Sequence, residues 1–245
     1  MGENTLLFLF LILPVVAGAL LWAFARRLRR RGQPVRWPGL LAGNALVLLL
    51  FLSLALPAGE IYYRFLYDTT DSLEYTKVSR RWTERYWRTN ANGIRDDREY
   101  EAALTPGRVR VTFVGDSFTA GHGVKDSANR FVNLLRKAHP AWDVHMIAMP
   151  GFDTGQELAA LDALFEKRYR VNLVVLVYCL NDVSDLMPDR YDAWRRIMAD
   201  ERQSGPLVRN SYFINILYHR LQVRREPFLA QYYAFVRDGY EGPLW

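Results

Sequence analysis

The sequence predicts an α/β protein in which two transmembrane helices precede a parallel β-sheet covered by helices. Two uncharged apolar runs, 5–25 and 39–58, lie near the start of the chain. Three shorter β-branched or apolar runs follow at 108–114, 143–149 and 173–178, with amphipathic segments between them. Strands that alternate with helices are typical of right-handed βαβ crossovers, which build parallel sheets. We therefore expect a three-layer α/β/α domain behind a two-helix anchor.

Each long run suits a transmembrane helix, because about 20 residues rising ~1.5 Å each cross the ~30 Å hydrocarbon core. The loop 26–38 between the runs holds six arginines and no acidic residue, and only Glu3 is charged before the first run. Positive-inside bias then places this loop in the cytoplasm and both termini outside. The sequence thus predicts a multi-pass inner-membrane protein whose C-terminal domain faces the periplasm.

A cleaved signal peptide is the alternative interpretation of the first run. The missing Lys or Arg before that run argues against it, since signal peptides begin with a basic segment. The formal net charge of +6 comes largely from the arginine-rich loop, so it explains membrane topology and does not predict a nucleic-acid partner. The single cysteine, Cys179, excludes an internal disulfide.

We divide the chain into a membrane anchor (1–59), a juxtamembrane connector (60–104) and an α/β domain (105–245). The connector carries a basic and aromatic cluster around Trp82 and Trp87. Such a cluster fits either a segment lying on the domain and the lipid headgroups or a clamp for sugars or nucleic acid, and we favour the first.

Three short motifs follow the three predicted strands. Gly115-Asp116-Ser117, with Gly121 four residues after the serine, ends the first strand. Pro150-Gly151-Phe152 follows the second strand, and Asn181-Asp182 follows the third. Because parallel strands share one carboxyl edge, we expect these motifs to lie together. Their identity and order resemble the SGNH (GDSL-type) hydrolase family, although Cys179 stands where the third block of that family usually has Gly.

The resemblance implies a flavodoxin-like fold and ester chemistry through an acyl-serine intermediate. Ser117 would be the nucleophile, and the oxyanion would be held by the backbone N–H groups of Ser117 and Gly151 and the Asn181 side chain. The substrate would be an acyl ester, either a lipid or an acylated glycan. We expect neither a cofactor nor a metal ion, because no phosphate loop, dinucleotide fingerprint or metal-ligand spacing is present.

One expected part of the site is missing from the sequence. The family carries its base in an Asp-x-x-His block, and no such block exists here; the histidines are His122, His139, His145 and His219. We also expect no further strand after Asn181. We therefore expect the chain to be the front part of a longer hydrolase domain; the alternatives are a degenerate homologue or a protein whose base comes from another chain.

Three functions fit the sequence. The first is a membrane-anchored ester hydrolase. The second is an O-acetyltransferase or deacetylase for an envelope polysaccharide, which the membrane anchor and the external domain favour. The third is a non-catalytic envelope binding or scaffold protein, which the absent base favours.

Overall fold

The structure is a computed structural model that describes residues 2–32, 36–71, 75–179, 182, 189–231 and 234. Its helices and strands, in chain order, are α1 (Glu3–Arg31), α2 (Trp37–Ile61), α3 (Lys77–Tyr86), β1 (Val109–Gly115), α4 (Ser117–Ala120), α5 (Phe131–Ala138), β2 (Trp142–Ala148), α6 (Thr154–Glu166), β3 (Leu173–Val177), α7 (Asp189–Gln203), α8 (Pro206–Asn210) and α9 (Tyr212–Arg225).

The chain forms two compact units. The helical unit comprises Met1–Asp68, Thr76–Val78 and Met198–Leu221. The sheet unit comprises Thr69–Tyr75, Ser79–Ile197 and Gln222–Trp245. The segment 198–221, which the sequence placed in the α/β domain, thus groups with the N-terminal helices. Conversely, most of the connector after residue 78 is part of the sheet unit, and Trp82 in α3 is completely buried there.

Helices α1 and α2 are long and apolar enough to cross a membrane. Only 17% and 6% of their most apolar stretches are buried, whereas a core helix of a soluble protein would bury most of its apolar side chains. Both helices extend a few residues beyond the predicted apolar runs. One π-helical turn, Tyr62–Leu66, continues α2.

The end of α2 holds the start of α9 through a buried carboxylate. Glu60 is fully buried and accepts hydrogen bonds from Ser211 Oγ at 2.6 Å, Tyr212 N at 3.2 Å and Phe213 N at 3.1 Å. These amides open a helix, where backbone N–H groups lack partners and a negative charge is favoured. Glu60 therefore caps α9 from another helix of the same unit.

The sheet has three parallel strands in the order β2-β1-β3, with β1 in the centre. Gly115 at the end of β1 pairs with Ala148 of β2 and Val177 of β3, so all three strands end at the same level. The prediction of an α/β chain with a parallel sheet is confirmed. Each observed strand lies within one residue of its predicted bounds.

Alternating side chains of the strands explain the core of the sheet unit. Val111 and Phe113 of β1 and Val144 and Met146 of β2 are buried in one cluster with apolar residues of α5 and α6. Side chains of a strand alternate between the two faces, so a continuously apolar strand packs against helices on both sides. By contrast, Leu173 and Leu176 of the edge strand β3 are half exposed.

Candidate functional site

Ser117 is the first residue of the one-turn helix α4, directly after the central strand. Asp116 is the N-cap of this turn and is completely buried, and its Oδ1 accepts a hydrogen bond from Phe118 N at 2.9 Å. The Ser117 hydroxyl donates to Asp116 Oδ2 at 3.4 Å, which is long for an O–H···O bond. The sequence thus places a half-buried serine at a tight strand-to-helix turn.

Position 115 requires a glycine because neighbouring atoms of Thr119 and Val177 leave no room for a Cβ there. A Cβ at this position would lie 2.2 Å from Thr119 Oγ1 and 3.1 Å from the carbonyl oxygen of Val177. The first distance is a steric clash, so even alanine would force α4 or β3 to move. The glycine of the Gly-Asp-Ser motif therefore has a packing reason that is independent of catalysis.

Gly151 lies in the turn after β2. Pro150 and Gly151 are its central residues, and the Phe152 N–H donates to the Met149 carbonyl at 3.2 Å. Gly151 has φ +83°, and a type II turn demands such a positive angle at its third position. Because β1 and β2 are neighbours that end at one level, Ser117 and Gly151 both follow the carboxyl edge of the sheet.

The third predicted site residue, Asn181, lies outside the described residues. On either side of it, Cys179 N donates to Asp182 Oδ2 at 2.8 Å and Asp182 N donates to the Cys179 carbonyl at 3.1 Å. This turn follows β3, the other neighbour of β1. Burial, and then the charges of Asp116 and Asp182, raise the pKa of the Cys179 thiol to about 12. The thiol is therefore neutral at pH 7 and is a poor nucleophile.

A cluster of carboxyl groups lies near the loops that follow β1 and β3. Glu157, in the first turn of α6, is completely buried, and neither of its carboxyl oxygens has a hydrogen-bond partner among the described residues. Burial, followed by the charges of Asp182, Asp116 and Asp153, raises the pKa of Glu157 to about 7. Burial and neighbouring carboxylates also raise the pKa of Asp182. Burial and mutual repulsion thus disfavour the charged forms of Glu157 and Asp182.

Two histidines of the sheet unit are held by structural contacts. His145, in β2, lies 2.8 Å through Nδ1 from Tyr169 Oη and 3.1 Å through Nε2 from Asp143 Oδ1, and its ring stacks on Tyr100. Burial lowers the pKa of His145 to about 4, although Asp143 opposes this shift. His139 is exposed and stacks on the neighbouring Trp142.

The histidine nearest to Ser117 in sequence is His122. Its backbone N–H donates to the Ser117 carbonyl at 2.8 Å, whereas its Nε2 lies 3.1 Å from Thr70 Oγ1. Its ring stands edge-on to Trp82 and Trp87. The side chain therefore packs against the segment that precedes the sheet.

The fourth histidine belongs to the helical unit. His219 of α9 is buried, with Nε2 3.3 Å from Glu201 Oε2. The face of α9 that carries His219 therefore packs inside the helical unit.

No group of three or more His, Cys, Asp or Glu side chains within the described ranges is arranged to hold a metal ion. Comparison of the chain with models of protein families, with curated proteins and with solved structures returns no match.

Two residues near the candidate site were not identified from the sequence. Glu157 resembles any other acidic residue in a helical first turn, since no pattern reveals that three further carboxylates converge on it. Arg95 lies in the expected connector, and no local pattern indicates what its side chain contacts.

Proposed function

We propose that this protein is a membrane-anchored serine hydrolase of the SGNH type that acts on ester bonds. The observation that carries the proposal is the position of Ser117 at a tight turn after the central strand, beside the positive-φ turn of Gly151 after the neighbouring strand. Open α/β sheets build their sites at this carboxyl edge. The helices α1 and α2 support a membrane location, and the arginine-rich loop supports a domain that faces the periplasm.

In the proposed reaction, Ser117 Oγ attacks the ester carbonyl carbon and a tetrahedral oxyanion forms. The backbone N–H groups of Ser117 and Gly151 and the Asn181 amide donate to this oxyanion. Its collapse breaks the bond to the alcohol and leaves an acyl ester on Ser117. Water then releases the acid, or a sugar hydroxyl accepts the acyl group. The proton of the Ser117 hydroxyl ends on the oxygen of the departing alcohol, and this sequence contains no Asp-x-x-His block to carry it there.

The test is hydrolysis of p-nitrophenyl acetate by detergent-purified protein. We expect release of p-nitrophenol that falls to the background rate in Ser117→Ala and is unchanged in Ser127→Ala, a serine in a separate 3-10 turn. Equal rates in the wild type and in Ser117→Ala would contradict the proposal. Addition of an oligosaccharide acceptor distinguishes hydrolysis from O-acetyl transfer, because only transfer yields an acetylated sugar.

A second candidate is a non-catalytic envelope binding or scaffold protein. The observation that favours it is the partnering of His122, His145 and His219 with groups other than Ser117. In this case p-nitrophenyl acetate is not turned over above background, while the protein binds envelope glycan with the same affinity in the wild type and in Ser117→Ala. Isothermal titration with acetylated and deacetylated glycan measures this affinity.

A further inference from the structure

We propose that Arg95 is a positioning residue for Ser117, holding the turn that carries the serine through the carbonyl groups at the end of that turn. This inference rests on the proposed function, because it assigns a role in the orientation of the nucleophile. Arg95 lies outside the Gly-Asp-Ser, Gly and Asn motifs, and its guanidinium donates to backbone carbonyls of residues other than Ser117 and Gly151.

The helix α4 needs external support because it has only four residues. The first turn of a helix costs more conformational entropy than its single hydrogen bond returns, and the last carbonyl groups of any helix lack intrahelical partners. A short turn therefore keeps a fixed direction only when other groups bind its free carbonyls.

Arg95 provides these contacts. Its side chain is buried, with Nη1 donating to the carbonyl oxygens of Ala120, at 3.3 Å, and of Gly121. Nη2 donates to the carbonyl oxygens of Val124 at 2.6 Å and Tyr86 at 3.1 Å. One guanidinium thus binds the last residue of α4, the loop that follows it and the last residue of α3.

A second arginine supports the first. Arg130 Nη1 donates to the same Ala120 carbonyl at 3.4 Å and to the backbone carbonyl of Arg95. Arg130 also lies 3.5 Å from a carboxyl oxygen of Asp96. The backbone of Arg95 and the end of α4 are therefore fixed by the same side chain.

The charged group of Arg95 lies close to two indole rings. Its guanidinium carbon lies 4.8 Å from the ring centroid of Trp87 and 5.4 Å from that of Trp82, distances at which a cation and an aromatic face attract each other. Burial, and then the nearby Arg130, lower the pKa of Arg95 to about 10, so the side chain stays charged at pH 7.

Lysine cannot replace these contacts. A planar guanidinium presents several N–H groups in a fixed fork, whereas an ammonium is a point charge on a flexible stem. We therefore expect Arg95→Lys to keep the charge and to release α4. A displacement of about 1 Å at a reacting group costs up to ~100-fold in rate.

The test measures covalent inactivation of the detergent-purified protein by a fluorophosphonate, which separates the limiting rate from the half-saturating concentration. In Arg95→Lys we expect the limiting rate to fall ~10- to 100-fold while the half-saturating concentration changes less than about twofold. The matched control is Arg136→Lys. Arg136 is another buried arginine of the sheet unit, but it donates to Asp96 and to the Val144 carbonyl and not to α4. Its variant should keep both parameters within about twofold of the wild type.

Amide hydrogen exchange of residues 117–124 provides a second readout that does not depend on reactivity. It should be faster in Arg95→Lys than in the wild type and in Arg136→Lys. A wild-type limiting rate in Arg95→Lys, with Ser117→Ala unreactive, would overturn the inference and leave the proposed function intact. Absence of Ser117 labelling in the wild type would contradict the proposed function. Unchanged exchange in Arg95→Lys would then overturn the role of Arg95 in holding α4 as well.

Discussion

Replacement of Glu157 by glutamine tests whether this buried carboxyl group carries a proton in the folded protein. The ordinary pKa of a glutamate is 4.5, and the buried position raises the pKa of Glu157 to about 7. Between these two pH values the folded chain holds the proton and the unfolded chain has released it. The contribution of Glu157 to the free energy of unfolding therefore falls as pH rises from about 4.5, and the fall ends above about pH 7.

The size of this effect follows from the two pKa values. Each pH unit between them is worth ~1.4 kcal/mol, so the contribution of Glu157 to stability falls by about 3–4 kcal/mol between pH 4.5 and pH 8. Glutamine has nearly the same shape and does not ionise. We expect Glu157→Gln to lack this loss, so that its stability relative to the wild type improves by up to about 3–4 kcal/mol across the same range.

The assay is urea unfolding followed by tryptophan fluorescence at several pH values from 5 to 8. The matched control is Glu166→Gln, which changes an exposed carboxyl group at the other end of α6. The difference between this variant and the wild type should stay constant with pH. A constant difference for Glu157→Gln as well would refute the reasoning, since it would mean that Glu157 has the same protonation in the folded and the unfolded chain.

Three further predictions concern single side chains. Gly115→Ala should lower the unfolding free energy by about 1–3 kcal/mol, because the added Cβ would collide with Thr119. Gly205→Ala, whose added Cβ meets no neighbouring atom, should change the unfolding free energy much less, and thermal unfolding compares the two variants. Cys179 should react with iodoacetamide at pH 8 about 10³-fold more slowly than an ordinary thiol, and alkylation at the ordinary rate would refute its raised pKa. Glu60→Gln should speed amide exchange at residues 212–214, because a neutral amide binds the first N–H groups of α9 less strongly, and unchanged exchange would contradict that cap.

The sheet could be predicted from the sequence because its signals are local. Continuous runs of valine, isoleucine and leucine fit strands that are buried on both faces, and all three strands lie within one residue of the predicted positions. The start of α6 also depends on a local interaction, because Asp153 and Gln156 form a capping box. The position of Ser117 after the central strand follows from these elements alone.

The contacts around the site could not be predicted, because they join residues that are distant in sequence. Arg95 and Ala120 are 25 residues apart, and Glu60 and Ser211 are 151 apart. No local pattern indicates that Arg95, in the expected connector, will be buried and will bind carbonyl groups of the loop that follows α4. The burial of His219 has the same origin, since its partner Glu201 lies on another helix.

The most direct test of the central claim is the site of covalent modification by a fluorophosphonate. Detergent-purified wild-type protein and Ser117→Ala are treated with the reagent, digested and analysed by peptide mass spectrometry. The proposed function predicts one phosphonylated serine, Ser117, and no adduct on the corresponding peptide of Ser117→Ala. Equal labelling of the two proteins, or a wild-type adduct at another serine with Ser117 unmodified, would contradict the assignment of Ser117 as the nucleophile.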